Sequence, residues 1–305
     1  MCKILFLTFV VPIFAKKAML TPDRLLQINE LFKEKEWEGL IGYDNTSLLN
    51  LFSNRLDKID QHEQELVLDL TKRFIFIREE NIVEEIRTSY YCVKDSICKN
   101  AQHIYIAPLK PLYKKDKNGN KKEIKIKKSG DLMYALFSKY GYDWMDYHDK
   151  FIMTDSIYKV NSIEENDIVI LLDDFIGSGD TASTAVEQIL EKTPIKRTQI
   201  VITCIIAHQK GIDRLATENI ELFSSTQINR GISDFYSDFE RKKSIIIAAQ
   251  EKISKSKAMK QYSLGYDNCE ALVSIKLKAP NNTFPFYWYP KDNCPAMFPR
   301  KKINI

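Results

Sequence analysis

The sequence predicts an α/β fold: a parallel sheet flanked by helices, with a helical region at the N-terminal end. Three observations predict it. Residues 168–172 are an unbroken apolar run, the pattern of a strand buried on both faces of a parallel sheet, and residues 200–207 are another apolar, β-rich run. Between them Ala182, Ala185, Val186, Ile189 and Leu190 repeat at helical spacing, so strand and helix alternate. The first hundred residues instead carry several helical stripes and few β-rich runs.

The elements follow in order. Lys3 precedes an apolar run over residues 4–15 that resembles a short signal peptide, but Ile13, Phe14 and Ala15 make a poor cleavage site. The run is too short to span a bilayer. A core strand and a true start at Met19 are the competing readings, and the expected location is cytoplasmic, without a membrane. Thr21 and Pro22 open a helix over residues 21–37, with Leu25, Ile28 and Phe32 on one face. Val67, Leu70, Phe74 and Ile77 form a second helical stripe, and Ile82, Ile86, Tyr90, Val93 and Ile97 a third. Ile104 to Ala107 reads as a short strand ending at Pro108, and Met133, Leu136, Phe137 and Tyr140 mark a further helix. The division expected is a mainly helical region over 1–99 and an α/β domain over 100–305.

Composition bounds the chemistry without naming it. The 305 residues are 44% apolar and 28% charged, ordinary for a globular chain, and the net charge of +4 is too small to argue for nucleic acid. Six cysteines include no Cys-x-x-Cys pair and no zinc-like spacing to histidine, which fits a reducing compartment. Of the histidines, His208 follows the run 200–207 and faces either the ligand crevice or the core.

The chemistry concentrates at the end of the first apolar run, in Asp173, Asp174, Phe175, Ile176, Gly177, Ser178, Gly179, Asp180 and Thr181. Gly177 and Gly179 allow close backbone approach and positive φ. Ser178 and Thr181 offer hydroxyls, and the free N–H groups of the following helix point at the same spot, which together favour an anion. Two adjacent carboxylates beside a phosphate repel it unless they hold something else. The vicinal hydroxyls of a ribose suit them, and a magnesium ion relieves the repulsion. Phosphate on the loop and diol on the acids describe a ribose 5-phosphate.

This motif resembles the donor-binding motif of type I phosphoribosyltransferases: apolar strand, two acids, three variable residues, Ser or Thr, Gly, any residue, Thr. The resemblance implies the type I phosphoribosyltransferase-like fold. It also implies a magnesium–phosphoribosyl pyrophosphate donor, with Asp173 and Asp174 on the ribose and Gly177, Ser178, Gly179, Asp180 and Thr181 on the 5-phosphate. Two positions depart from the family. Gly177 stands where purine-salvage members often carry an acidic general base. Asp180 places an anion where phosphate is expected, unless it caps the helix and points away.

Nine lysines lie in residues 110–128, around the hairpin signal Asn118-Gly119. Type I enzymes carry a mobile hairpin here that closes over the donor, which implies pyrophosphate-facing roles for Lys110 and Lys128. A solvated loop, or a contact with a nucleic-acid backbone, explains the same cations. Ser129 either offers a donor to pyrophosphate or caps the helix after it.

The C-terminal stretch runs from Leu264-Gly265-Tyr266 through Pro280-Asn281-Asn282-Thr283 to Phe286-Tyr287-Trp288-Tyr289. With the Gly-Ser-Gly loop, it resembles the phosphoribosyltransferase-like effectors of prokaryotic conflict systems. That resemblance implies an antiphage-defence effector acting on a nucleotide or related metabolite, with partner proteins from a defence operon. Tyr287 and Trp288 read either as a stacking wall for a base or as core packing. A non-catalytic phosphoribosyl- or nucleotide-binding regulator is the alternative to an enzyme.

Overall fold

A computed structural model describes residues 20–42, 45–115, 119–124, 129–141, 145–276, 278–291 and 293–300. The apolar run at 4–15 and Lys128 lie outside these residues. The described elements are α1 Pro22–Glu34, α2 Leu48–Leu56, α3 Gln61–Lys72, β1 Ile75–Ile77, α4 Ile82–Tyr91, α5 Asp95–Asn100, β2 Ile104–Pro108, β3 Tyr113–Lys115, β4 Lys121–Glu123 and α6 Ser129–Tyr140. They continue with β5 Phe151–Met153, β6 Ile168–Ile176, α7 Asp180–Lys192, β7 Ile200–His208, α8 Gln209–Thr217, β8 Glu221–Ile228, α9 Phe239–Ile253, α10 Lys257–Gln261, β9 Val273–Ile275 and α11 Pro285–Trp288.

The main sheet has five parallel strands in the order β5-β2-β6-β7-β8. Counted along the chain this is 2-1-3-4-5, a doubly wound order. Its faces follow from the period of two along each strand. On β6, Val169 and Leu171 join a core with Ala182, Val186 and Ile189 of α7 and Leu215 of α8. Ile170 and Leu172 join another with Met133 and Phe137 of α6 and Ile86 and Tyr90 of α4. Each Val or Ile side chain so buried stabilises the fold by about 1.5–3 kcal/mol.

This winding positions the site. The chain leaves β2 through α6 on one face and leaves β6 through α7 on the other. Their carboxyl ends therefore border a crevice, because the two connections diverge there.

The helix expected over 21–37 forms as α1 and ends at Glu34; its start is capped by Thr21 Oγ1, which accepts from Arg24 N at 3.2 Å. Ile28 and Phe32 of its expected face are buried, but Leu25 is exposed. Two expected stripes divide. Phe74 and Ile77 lie beyond the end of α3, and Ile77 belongs to β1, which pairs in parallel with β9 from the far end of the chain. The stripe from Ile82 breaks after Tyr91 and resumes in α5.

A third core joins α1, α2 and α3 to α9 and to Phe284, Phe286, Tyr287 and Phe298. Arg55 is its polar centre and is fully buried. It donates to the carbonyls of Pro295 and Cys294, each at 2.9 Å, and to those of Phe286 and Tyr289. The helical region thus packs on residues that come more than two hundred positions later.

Candidate functional site

Asp173 and Asp174 lie within β6, three and two residues before its end at Ile176, and the sheet carries them into the crevice. Lys110 follows β2 at the same end, because Pro108 pairs with Leu172 and Leu109 N donates to Leu172 O at 2.8 Å. Ser129, the first residue of α6, reaches across and donates from Oγ to Asp173 Oδ1 at 2.6 Å. Asp174 N donates to the same oxygen at 2.9 Å.

Burial pushes the Asp173 carboxyl well above the usual carboxylate range, and the neighbouring Asp174 charge pushes it further; the Ser129 hydrogen bond opposes both. Burial also raises Asp174, against the hydrogen bonds of Ser129 and Asp173 and the charge of Lys278. Two carboxyl groups held side by side in a poorly solvated crevice favour protons, a cation or hydroxyl donors. Burial holds the Arg300 guanidinium below the usual arginine range, against the charges of Tyr262 and Asp174.

Past Ile176 the chain turns through Gly177, Ser178 and Gly179, all buried, into α7. Gly179 is the cap residue of α7 and sits at φ +81°, in the left-handed region. A Cβ at Gly177 would lie 2.5 Å from the Asn282 carboxamide carbon, so Asn282 fills the space that a side chain there would need. Asn282 Nδ2 is itself fixed by Tyr266 O at 3.3 Å and Cys269 Sγ at 3.2 Å. Asp180 is the first residue of the helix and not its cap; its Oδ2 accepts from Ser178 Oγ at 3.0 Å, and its Oδ1 contacts the Arg214 guanidinium. Thr181 is exposed.

The other sequence candidates are placed as follows. Lys110 is partly buried and its Nζ meets Asp131 Oδ1 of α6 at 2.9 Å. The lysine hairpin exists as β3 and β4, paired with Tyr113 opposite Glu123. Its described part is docked on α7: Gln188 Oε1 accepts from Leu112 N at 2.8 Å, and Lys121 Nζ meets Glu191 Oε1 at 3.2 Å. Tyr287 and Trp288 are a correction. Tyr287 is fully buried, its ring 4.5 Å from Phe74 and its hydroxyl 2.8 Å from Thr71 Oγ1. Trp288 is 6% exposed and its Nε1 donates to Thr283 O at 2.6 Å. Rings so enclosed present no face to a base. His208 is buried and kept below the usual histidine range by burial, with Nδ1 accepting from Lys210 N at 3.1 Å.

Sequence reasoning missed Asn282, Arg214, Tyr266, Lys278 and Arg300. Asn282 and Tyr266 stand in segments already singled out. Arg214 carried no signal beyond its place on the helix after β7.

The family model described as PRTase-CE matches residues 49–300, and the chain belongs to that family. No curated protein matches it. Among solved structures it is similar to orotate phosphoribosyltransferase from Aeropyrum pernix, at TM-score 0.28 and 10% identity over 49% of this chain and 72% of that one. It is also similar to APRTase from Giardia lamblia complexed with 9-deazaadenine, at TM-score 0.26 and 15% identity over 49% and 79% of the two chains. The third is the AQ2163 protein from Aquifex aeolicus, at TM-score 0.28 and 12% identity over 61% and 86%. The phosphoribosyltransferase-like reading rests on the family match and on the chain's own strand order. No helix among the described residues is long and apolar enough to cross a membrane.

Proposed function

We propose that this PRTase-CE protein binds 5-phosphoribosyl pyrophosphate with magnesium and transfers its phosphoribosyl group, as an antiphage-defence effector acting on a nucleotide or related metabolite. One observation carries the proposal: a carboxyl pair at the switch point of a doubly wound sheet, Asp173 buried and Asp174 half-buried, runs directly into a Gly-Ser-Gly turn and a helix N-terminus. Asp173 and Asp174 hold the ribose hydroxyls. The loop from Gly177 to Thr181 takes the 5-phosphate. Lys110 takes the pyrophosphate in this reading, and the sequence assigns Lys128 to it as well.

The donor set suits magnesium, which takes oxygen ligands and commonly shares carboxylates with substrate phosphates. Among the described residues no group of three or more His, Cys, Asp or Glu forms a cage, so the ion would rely on the donor's own oxygens beside Asp173 and Asp174. When bound, magnesium supplies charge neutralisation to the departing pyrophosphate. The protein's residues orient the sugar and stabilise the leaving group while positive charge develops at its anomeric carbon.

A second reading has its own support. The acid of purine-salvage enzymes is absent at Gly177, and Asn282 fills the space. A regulator that binds the donor without turnover fits that feature. Metabolite profiling before and after phage challenge separates the two, in cells expressing the wild type or Asp173→Asn/Asp174→Asn. The enzyme reading expects a nucleotide or phosphoribosyl pool that changes with the wild type alone. Identical profiles from a wild type that binds the donor would overturn it in favour of the regulator.

A further inference from the structure

The loop assigned above to the 5-phosphate already holds an anion. Asp180 Oδ2 accepts from Ser178 Oγ at 3.0 Å, and Oδ1 accepts from Arg214 Nη1. The Tyr266 hydroxyl faces the same carboxylate closely enough that the two shift each other's titration, Asp180 downwards and Tyr266 upwards. A hydroxyl, a guanidinium and a phenol converging beside a helix N-terminus are the donors that phosphate oxygens seek.

Arg214 is well placed for that role. It comes from α8, with Nε on Glu218 Oε1 at 3.2 Å. Its Cδ lies 3.2 Å from where a Cβ on Gly179 would stand, so the side chain crosses directly over the loop. Tyr266 is held over the loop from the other side. Its N donates to Asn281 O at 2.7 Å, and the next residue, Asp267, pairs with Lys210 Nζ at 2.9 Å. The backbone here is left-handed at Gly265, Asp267, Asn268 and Glu270, a density of strained residues that only the surrounding contacts maintain.

The charges do not admit a phosphate as they stand. Arg214 already faces two carboxylates, Asp180 and Glu218. A phosphate brought to Ser178 and Arg214 would meet the Asp180 carboxylate within hydrogen-bonding distance of the same donors.

We infer that Asp180 is a built-in competitor for the phosphate subsite, that a donor phosphate displaces its carboxylate from Ser178 and Arg214, and that Arg214 then binds the phosphate directly. The inference rests on the phosphoribosyl reading of this loop and adds a residue and a threshold to it. The displaced side chain has an outlet, since it is 39% exposed, and its N–H stays at the first turn of α7 for the ligand. The arrangement filters ligands by charge. A ribosyl compound with a free 5-hydroxyl lacks the charge needed to displace a carboxylate from a guanidinium. If the self-ligated loop outweighs the open one a hundred to one, apparent affinity falls about a hundred-fold.

Calorimetry on the full chain tests this, with ribose 5-phosphate and with 5-phosphoribosyl pyrophosphate plus magnesium. Asp180→Asn keeps the size and removes the charge. It should bind both compounds at least ten-fold more tightly than the wild type. Arg214→Gln should bind at least ten-fold more weakly, Arg214→Lys should fall between, and Asp180→Asn/Arg214→Gln should stay weak. Thermal melts establish that each variant is folded; where Arg214→Gln is not, Arg214→Lys decides. Binding by Asp180→Asn alone supports both the inference and the reading beneath it. Wild-type binding that Asp180→Asn leaves unchanged or weakens overturns the competitor and spares the reading. Unchanged affinity in the Arg214 variants overturns its role as a phosphate ligand. If neither wild type nor Asp180→Asn binds either compound, the reading and the inference both fall.

Discussion

Asp173 and Asp174 carry the site and work against the stability of the fold around it. Burial raises both carboxyls, and the Asp174 charge adds to the rise at Asp173, so the folded chain holds protons that the unfolded chain has shed above its ordinary carboxylate value near pH 4. Stability therefore falls as pH rises from about 4 towards neutrality. Asp173→Asn removes the larger of these burdens and keeps an acceptor for Ser129. The variant should melt higher than the wild type at pH 7.5, by about 1–3 kcal/mol, or roughly 2–4 °C for each kcal/mol in a chain of this size. The gain should shrink as pH falls towards 4. Melting curves across that range check it; a variant that melts lower at pH 7.5 would show that the carboxylate is paired and not stranded. The residues legible beforehand were those whose chemistry is local. Two acids followed by a glycine loop declare themselves in nine positions. Arg214 and Tyr266 do not, because they reach Asp180 from 34 residues away along the chain in one case and through a left-handed segment in the other.

At the scale of elements, β6, its loop and α7 act as one unit. Gly179 at φ +81° lets the chain reverse from strand into helix while Arg214 lies against it. Gly179→Val puts a β-branched residue in a region it resists and pushes a side chain into that contact. The strain of a bulky residue there is on the order of 1–3 kcal/mol. We expect a folded protein with a lower melting temperature and no measurable affinity for ribose 5-phosphate. Calorimetry beside a melting curve checks this, and undiminished affinity would place the phosphate elsewhere. Elements read well from sequence where their pattern is long and pure, as in β6, α7 and β7. Three-residue β1 and β9 carry no pattern of their own and are specified only by pairing with each other. The second helical stripe ran through Phe74 and Ile77 because the apolar spacing continues across the end of α3 into β1. The lysine hairpin was legible as a hairpin. Its docking on Gln188 and Glu191 was not, since a charged strand gives no sign of which surface it rests on.

At the scale of the molecule, the winding order decides where chemistry is done. The order β5-β2-β6-β7-β8 sets the switch point between β2 and β6, and the acids and Lys110 stand at its carboxyl end. Helical period and apolar runs announced the α/β class, but the way the chain closes on itself depended on long-range contacts. Tyr287 shows why. Its aromatic neighbourhood suits a ligand wall as well as a core, and only the packing of Phe74 and Thr71 against it, 213 and 216 residues earlier, makes it core. Arg55 gathers four carbonyls of the same C-terminal segment, so the helical region and the chain's end stabilise each other. The central claim is that this frame holds a phosphoribosyl donor between its acids and its loop. Calorimetry of the full chain with 5-phosphoribosyl pyrophosphate, with and without magnesium, tests it most directly, against Asp173→Asn/Asp174→Asn as control. The account predicts binding that strengthens with magnesium and weakens at least ten-fold in the double variant. No binding of any phosphoribosyl compound to the folded wild type in either condition, or undiminished binding by the double variant, would contradict it.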